Sequence, residues 1–341
     1  MIFNDEASTQ QRSGADRLKG SRSFEDVGVV IAIDGFWIWD SWYIEHAGSW
    51  HAFYLKAPTA LGDPDLRHAN ARIGHSVSSD LAEWTALPDA LGPGADGDFD
   101  DLAVWTGSIV RHAGVWHLFY TGVEKRSRTK IQRVGHATSV DLLSWDRVSN
   151  APVTTADDRW YSTAARPPSF DEPWRDPWVF REDGLWHMLV TAREPATDGS
   201  AHGSVGHCIS PDLLAWEVAR PLSSSSGFGQ IEVMQVLQAR GRHLLVFCAA
   251  ASDVIAEGVP AVTGTYTAPA DGPLGPFHFD RAEPIHAPGI YAGRVVRKSR
   301  GDLVLLGFVD SDAGGAFAGV ICDPIPLRLT ARGTLQPEGE A

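Results

Sequence analysis

Three acidic residues, Asp40, Asp176 and Glu232, stand in surroundings suited to carbohydrate chemistry. Asp40 lies in Trp37-Ile38-Trp39-Asp40-Ser41-Trp42-Tyr43, where three tryptophans and a tyrosine surround one carboxylate. Aromatic faces stack on the apolar faces of a sugar ring, while charged groups address its hydroxyls and anomeric carbon. An isolated Asp between hydrophobic strands reads as a turn residue. What singles out Asp40 is that Asp176 and Glu232 hold corresponding places in a repeated unit. Carboxylates gathered at a low-dielectric mouth cannot all ionise easily, so their pKa values spread. Glycoside cleavage uses that spread, with one group giving a proton to the leaving oxygen while another attacks or stabilises the opposite face.

The repeats place these groups. Ser49-Trp50-His51-Ala52-Phe53-Tyr54 followed by Ile73-Gly74-His75 and Ser79-Asp80-Leu81-Ala82-Glu83-Trp84 recurs from Val115 to Trp145 and again from Leu185 to Trp216. Weaker copies begin at Arg242 and Asp302. Trp50, Trp116 and Trp186 are 66 and 70 residues apart. Each unit holds short alternating or apolar runs bounded by Gly, Asp and Ser, without a helical stripe. A unit of about 60–70 residues with about four strands is a propeller blade. The expected fold is all-β, a five-bladed β-propeller with four antiparallel strands per blade. His-Ala-Gly at 46–48 and 112–114 and Glu-Asp-Gly at 182–184 predict tight turns between first and second strands. Trp84, Trp145 and Trp216 recur identically and are expected to pack between blades. The paired histidines (His51, His117, His187 and His75, His136, His207) read as packing or hydrogen-bonding groups, since no metal-binding spacing is present.

Residues that break the repeat at the innermost strand line the channel and are candidates for function. They are Asp40 in blade one, Trp105-Thr106-Gly107-Ser108 in blade two and Trp174-Arg175-Asp176-Pro177 in blade three. Blade four contributes Gln230-Ile231-Glu232-Val233 and blade five Tyr291-Ala292-Gly293. Asp40, Asp176 and Glu232 are the candidate catalytic groups. Trp39, Trp42, Trp105, Ser108, Arg175, Tyr291 and Asp101 are candidate substrate contacts, with Trp174 a further stacking candidate. Asp100-Asp101 reads as a turn or a rim contact. Arg193-Glu194 reads as pocket lining or a surface pair, and Ser223 to Ser226 as a loop over the mouth or a linker.

Composition agrees with a soluble globular domain, with 43% hydrophobic and 21% charged residues and 13 tryptophans. The net charge of −14 and the lack of a basic run exclude nucleic acid as a partner. No apolar run is long enough to span a bilayer. Cys208, Cys248 and Cys322 stand apart among small or apolar residues, as buried reduced thiols do. Residues 1–26 are polar, without the apolar core of a signal peptide, and are expected to form a flexible tail or strap. Residues 27–341 would form the propeller, and the protein is expected to be cytoplasmic.

The chain resembles the five-bladed propeller glycosidases of glycoside hydrolase families 32 and 68, the invertase/fructanase and levansucrase families, over roughly residues 30–335. Trp37 to Tyr43 takes the place of the invertase W-M-N-D-P-N-G block, while Trp39-Asp40-Ser41-Trp42 is similar to the levansucrase W-D-S-W. Ile73 to Pro93 resembles the invertase W-G-H-A-V-S-x-D-L-x-x-W segment. Trp105 to Ser108 matches the W/F-S-G-S block, Arg175-Asp176-Pro177 the R-D-P motif, Glu232 the acid of the E-C-P block, and Tyr291-Ala292 the F-Y-A block. The resemblance implies that Asp40 is a nucleophile forming a covalent fructosyl-enzyme and that Glu232 is the general acid/base. It implies that Asp176 binds hydroxyls and stabilises the transition state, with Arg175 beside it. It also implies retention of configuration, with Asp40 and Glu232 about 5–5.5 Å apart. The substrate would be a small oligosaccharide or fructoside carrying a terminal β-fructofuranosyl or similar furanosyl unit, cleaved by hydrolysis or transferred.

Departures from the family pattern add apolar surface. Trp39 and Trp42 stand at two Asn positions, Leu55 at a Gln, and Val233-Met234 at Cys-Pro. Two other readings remain open: an inverting arabinofuranosidase or xylosidase on a related propeller, and a sugar-binding propeller without catalysis. No cofactor is expected and no metal site, since no ligand cluster supports a calcium such as family 68 members can carry. The chain is expected to lack the C-terminal β-sandwich usual in family 32, and the surface this would expose leaves room for a homodimer.

Overall fold

The computed structural model describes residues 28–128, 130–165, 171–195, 202–223, 227–312 and 315–339. The expected tail at 1–26, and residues 224–226 of the serine run, lie outside the described residues. The first strand is β1 (Val29–Ile31). Blade one is β2 (Phe36–His46), β3 (Ser49–Pro58), β4 (Arg72–Ser78) and β5 (Thr85–Leu91), hydrogen-bonded in that order. Blade two is β6 (Ala103–His112), β7 (Val115–Val123), β8 (Gln132–Ser139) and β9 (Asp146–Arg147). Blade three is β10 (Arg175–Glu182), β11 (Leu185–Glu194), β12 (His202–Ser210) and β13 (Glu217–Ser223). Blade four is β14 (Glu232–Ala239), β15 (Arg242–Ala249), β16 (Gly264–Ala270) and β17 (Glu283–Pro284). Every pairing is antiparallel, and the architecture is a five-bladed propeller.

Blade five departs from the simple four-strand unit. Its β18 (Ile290–Arg297) pairs with β19 (Leu303–Ser311). The far edge of β19 is shared between β20 (Phe317–Cys322) and β21 (Ile325–Leu329), and β22 (Leu335–Pro337) extends β21. The outermost place beside β20 is taken by β1, with Val29 opposite Cys322 and Ile31 opposite Ile321. One blade is therefore completed by a strand from the other end of the ring.

Local chemistry explains the regularity. The expected tight turns at Ala47-Gly48, Ala113-Gly114 and Asp183-Gly184 have positive φ at both residues, as type I′ hairpins require, and Arg240-Gly241 of blade four does the same. In three blades a Ser-x-Asp-Leu-x-x-Trp turn repeats the same bonds. At Ser139, the hydroxyl accepts from Leu142 N at 2.9 Å, Asp141 Oδ1 accepts from Leu143 and Ser144 N, and Trp145 Nε1 donates to Leu142 O at 3.1 Å. Trp145 packs edge-on against Phe53 of blade one, and Trp216 against Phe119 of blade two. These tryptophans fill the seams between blades, as expected.

The seams are the core. Phe119 of blade two meets Trp174, Val179, Met188 and Val190 of blade three, and Leu189 and Val205 of blade three meet Phe228, Ile231 and Phe247 of blade four. Leu244 and Val246 of blade four meet Val295 and Leu305 of blade five. Each fully buried side chain of this kind contributes about 1.5–3 kcal/mol.

The repeated histidines form cross-strand pairs. His51 Nδ1 lies 2.9 Å from His75 Nε2, His117 from His136 at 2.9 Å, and His187 from His207 at 2.9 Å. Burial lowers the third-strand members His75 and His136 to about 3 and His207 to about 4, with the neighbouring His adding to the shift. Because the folded pKa values lie below the ordinary histidine value of 6.5, the pairs contribute stability above that pH and lose it as pH falls toward the folded values. The Tm of the wild type is expected to fall between pH 7 and pH 4, with a shallower fall in His136→Gln. Thermal melts across that range check it, and identical slopes would contradict it.

Candidate active site

Each inner strand carries a register break at the same place. The regular pairing is interrupted between Trp39 and Ser41, Trp105 and Gly107, Arg175 and Trp178, Glu232 and Gln235, and Tyr291 and Arg294. Such bulges re-aim side chains. The residues inside them include Asp40, Thr106 and Asp176. Asp176, Val233 and Ala292 take left-handed backbone conformations, with φ of 57°, 50° and 49°. Five bulges thus face one pocket of about 370 Å³, lined by Asp40, Asp176, Glu232, Arg175, Tyr291 and Trp39 among others.

The hydrogen bonds run from blade to blade. Thr106 of blade two donates a short bond to Asp40 Oδ2. Asp176 Oδ2 accepts from Thr191 Oγ1 at 2.9 Å and from Val233 N at 3.3 Å. Arg175 donates from Nη1 to Gln132 at 2.9 Å and from Nη2 to Glu232 Oε1 at 2.6 Å, and also bonds Gln230. Tyr291 Oη donates to Glu232 Oε2 at 2.5 Å. Both oxygens of Glu232 are therefore capped by donors.

This arrangement separates the acidities. Burial, then Asp176, pushes Asp40 up to about 7, against the opposing bond from Thr106. Burial also raises Asp176, with the Arg175 charge opposing. Glu232 suffers the same burial, but the Arg175 charge and the bonds from Tyr291 and Arg175 outweigh it and hold the group below the usual carboxylate range. In the ligand-free site Asp40 is thus pushed toward its protonated form, while Glu232 is held ionised.

Several expected contacts lie elsewhere. Trp42 is 2% exposed and stacks on Phe53 in the seam toward blade two, because the bulge at Asp40 turns it away from the mouth. Ser108 is buried and accepts from Val179 N at 3.1 Å, stitching blade two to blade three. Asp101 accepts from Lys125 N at 2.7 Å and Gly97 N at 2.9 Å, and Asp100 accepts from Tyr120 Oη at 2.8 Å; both hold loops. Trp174 is fully buried against Tyr161. Arg193 pairs with Asp171, which lines the pocket, while the Glu194 carbonyl accepts from Ser162.

Other pocket residues stand outside the expected catalytic groups and substrate contacts. Thr106, not Ser108, is the blade-two residue at the register of Asp40, and aligning the bulges would have shown it. Arg67 and His68 enter on a 3₁₀ turn, Pro64–Asn70, in a connection between second and third strands that is longer in blade one than in blade two. His68 sits between Trp39 and Trp105, 6.0 Å from each ring, and its carbonyl accepts from Trp105 Nε1 at 2.7 Å. Among the described residues no group of three or more His, Cys, Asp or Glu is placed to hold a metal ion.

A family model described as the glycosyl hydrolases family 32 N-terminal domain matches residues 41–312. The chain belongs to this family. The matched stretch of the family 32 domain holds Asp176, Glu232 and Tyr291 and begins one residue after Asp40. Among sequence relatives, a rice (Oryza sativa subsp. indica) β-fructofuranosidase, insoluble isoenzyme 7, is 34% identical over 196 residues, 55% of this chain and 29% of the relative. A fructan 6-exohydrolase of Triticum aestivum is 32% identical over 200 residues, 55% of this chain and 30% of the relative. The family 32 chain thus matches less than a third of the length of these relatives. Among solved structures, the inulosucrase from Halalkalicoccus jeotgali bound to kestose has a TM-score of 0.73 at 21% identity, covering 93% of this chain and 92% of that one. A Bombyx mori family 32 β-fructofuranosidase has a TM-score of 0.69 at 19% identity, covering 93% and 66%. These likenesses are of fold.

The raised acidity constant of Asp40 has a stability consequence. The folded protein holds this proton more tightly than the unfolded chain, so the contribution of Asp40 to stability drops as pH rises from its ordinary value of 3.8 through about 7, against the trend set by the histidine pairs. Asp40→Asn is expected to melt higher than wild type at pH 8, by a few degrees, with the gap closing toward pH 4. Paired melting curves check it, and a lower Tm at pH 8 would contradict it.

Proposed function

We propose that this propeller is a retaining glycosidase that removes or transfers a terminal β-fructofuranosyl, or similar furanosyl, unit. The observation that carries the reading is the pair Asp40 and Glu232, brought from blades one and four into one pocket with acidities driven in opposite directions. Membership of family 32 supports it, as do the names of relatives that act on fructosyl substrates.

Asp40 attacks the anomeric carbon and Glu232 protonates the departing oxygen, so the C–O bond breaks as the glycosyl–Asp40 ester forms. Glu232 then takes a proton from water or an acceptor hydroxyl, which attacks the ester and frees Asp40. Asp176, fixed by Thr191 and Val233, accepts hydrogen bonds from ring hydroxyls. The reaction needs the shared proton on Glu232, whereas the empty site favours Asp40. Two effects of substrate move it. Positive charge developing at the anomeric carbon favours ionised Asp40, and hydroxyls that draw Arg175 away uncap Glu232. The two one-proton forms differ by no net proton, so their ratio does not vary with pH.

The pair titrates as a unit, so kcat/KM is expected to be bell-shaped, falling above about pH 7 as the last shared proton leaves. NMR-monitored incubation with sucrose, fructo-oligosaccharides, levan and aryl furanosides tests the reading. Glu232→Gln should lose about 10²–10⁴-fold in kcat/KM on alkyl leaving groups and much less on an acidic phenol, which departs without a proton. An inverted product anomer would move the protein to the arabinofuranosidase class, and no turnover of any furanoside would overturn the reading.

A further inference from the structure

Arg294 does not line the pocket, yet it is tied to everything that shapes it. It is the first residue after the blade-five bulge and is 2% exposed. Its Nη1 donates to the carbonyls of Val233 at 3.1 Å and Met234 at 2.5 Å, the two residues of the blade-four bulge that follow Glu232. Val233 is β-branched and sits at φ 50°, a conformation that costs on the order of 1–3 kcal/mol unless its surroundings hold it. The N–H of the same residue points at Asp176. The guanidinium also lies 5.1 Å from the Trp178 ring, two residues beyond Asp176. One side chain of blade five therefore grips the backbone that presents Glu232 and, through it, a donor to Asp176.

The rest of the guanidinium is unusual. Its Nε and Nη2 are buried with no hydrogen-bond partner among the described residues. A buried cation without a paired carboxylate is costly and calls for a use. Burial lowers Arg294 to about 10, and the charges that act against this are Asp176 first, then Cys248, Asp40 and Tyr43. Arg294 in turn opposes the rise of Asp40. The other titratable groups facing Asp40 are Asp176 on β10, Glu232 on β14, Cys248 on β15, Tyr291 on β18 and Arg67 on the 3₁₀ turn. Arg175 is open to the pocket and committed to Glu232, so a bound sugar can redirect it. Arg294 is enclosed and stays.

We propose that Arg294 is a positioning residue, locking the blade-four bulge that carries Glu232 and setting a fixed positive charge behind Asp40 and Asp176. The role in turnover rests on the glycosidase reading; the effect on the carboxylates does not.

The test is carbon-detected NMR titration of protein labelled at the Asp carboxyl carbon, with the Asp40 signal assigned by its loss in Asp40→Asn. In Arg294→Gln the Asp40 midpoint is expected to rise by about one pH unit, and the kcat/KM bell on the best furanoside to move the same way. Arg294→Lys keeps the charge and loses the two-carbonyl grip, so its bell stays near that of wild type while kcat falls on the order of tenfold. A folded Arg294→Gln with an unmoved Asp40 midpoint overturns the proposal. If that variant does not fold, Arg294→Lys decides, and wild-type kcat there overturns it. If wild type turns over no furanoside, the functional reading fails while the titration still decides the role of Arg294.

Discussion

The site depends on a backbone irregularity repeated five times. An innermost strand that kept its register would send its side chains into the seams between blades, where Trp42 and Ser108 are found. The bulges free Asp40, Thr106 and Asp176 from that alternation and direct them toward the channel mouth. Val233 and Ala292 share the left-handed conformation of Asp176 without carrying a functional group, while the bulges at Asp40 and Thr106 keep negative φ. The blades thus share one backbone device and differ in the side chain placed on it.

Crowding three carboxylates behind such bulges raises an electrostatic problem that two arginines divide between them. Arg175 works from the front, capping Glu232 and bridging to Gln132 and Gln230. Arg294 works from beneath, within reach of the fields of Asp176 and Asp40, and among the described residues its hydrogen bonds go to backbone carbonyls. Neutral donors complete the frame, with Thr106 on Asp40, Thr191 on Asp176 and Tyr291 on Glu232. Counting the carboxylates together with their donors, every blade supplies at least one group.

Much of the fold was legible in the sequence because repetition multiplies weak signals. Five units, hairpin turns at Ala47-Gly48 and its counterparts, and seam tryptophans such as Trp145 all follow from recurring residues. Asp40, Asp176, Glu232, Arg175, Trp39, Trp105 and Tyr291 were legible as breaks in the repeat, and the pocket gathers them. Two of the misplaced candidates, Trp42 and Ser108, share one cause. Counting along a strand predicts alternation, and a bulge shifts it by a residue, which separates Thr106 from Ser108 and Asp40 from Trp42. Arg294 was hidden for a different reason: a charged residue in an apolar strand gives no hint of whether its head meets solvent or carbonyls. The role of β1 was invisible as well, since three residues pairing with Cys322 and Ile321 carry no local signature of their partner.

That pairing bears on the order in which the molecule comes into being. As the chain emerges, the early blades can stack on one another, but the ring has a gap until blade five arrives and receives β1. The residues joined there are among the most widely separated in the chain, and such contacts form late because closing so long a loop is entropically slow. The pocket draws Asp40, Thr106, Asp176, Glu232 and Tyr291 from five successive blades. It therefore has no partial version, and a nascent chain carries all the reactive groups without owning a site until the circle shuts.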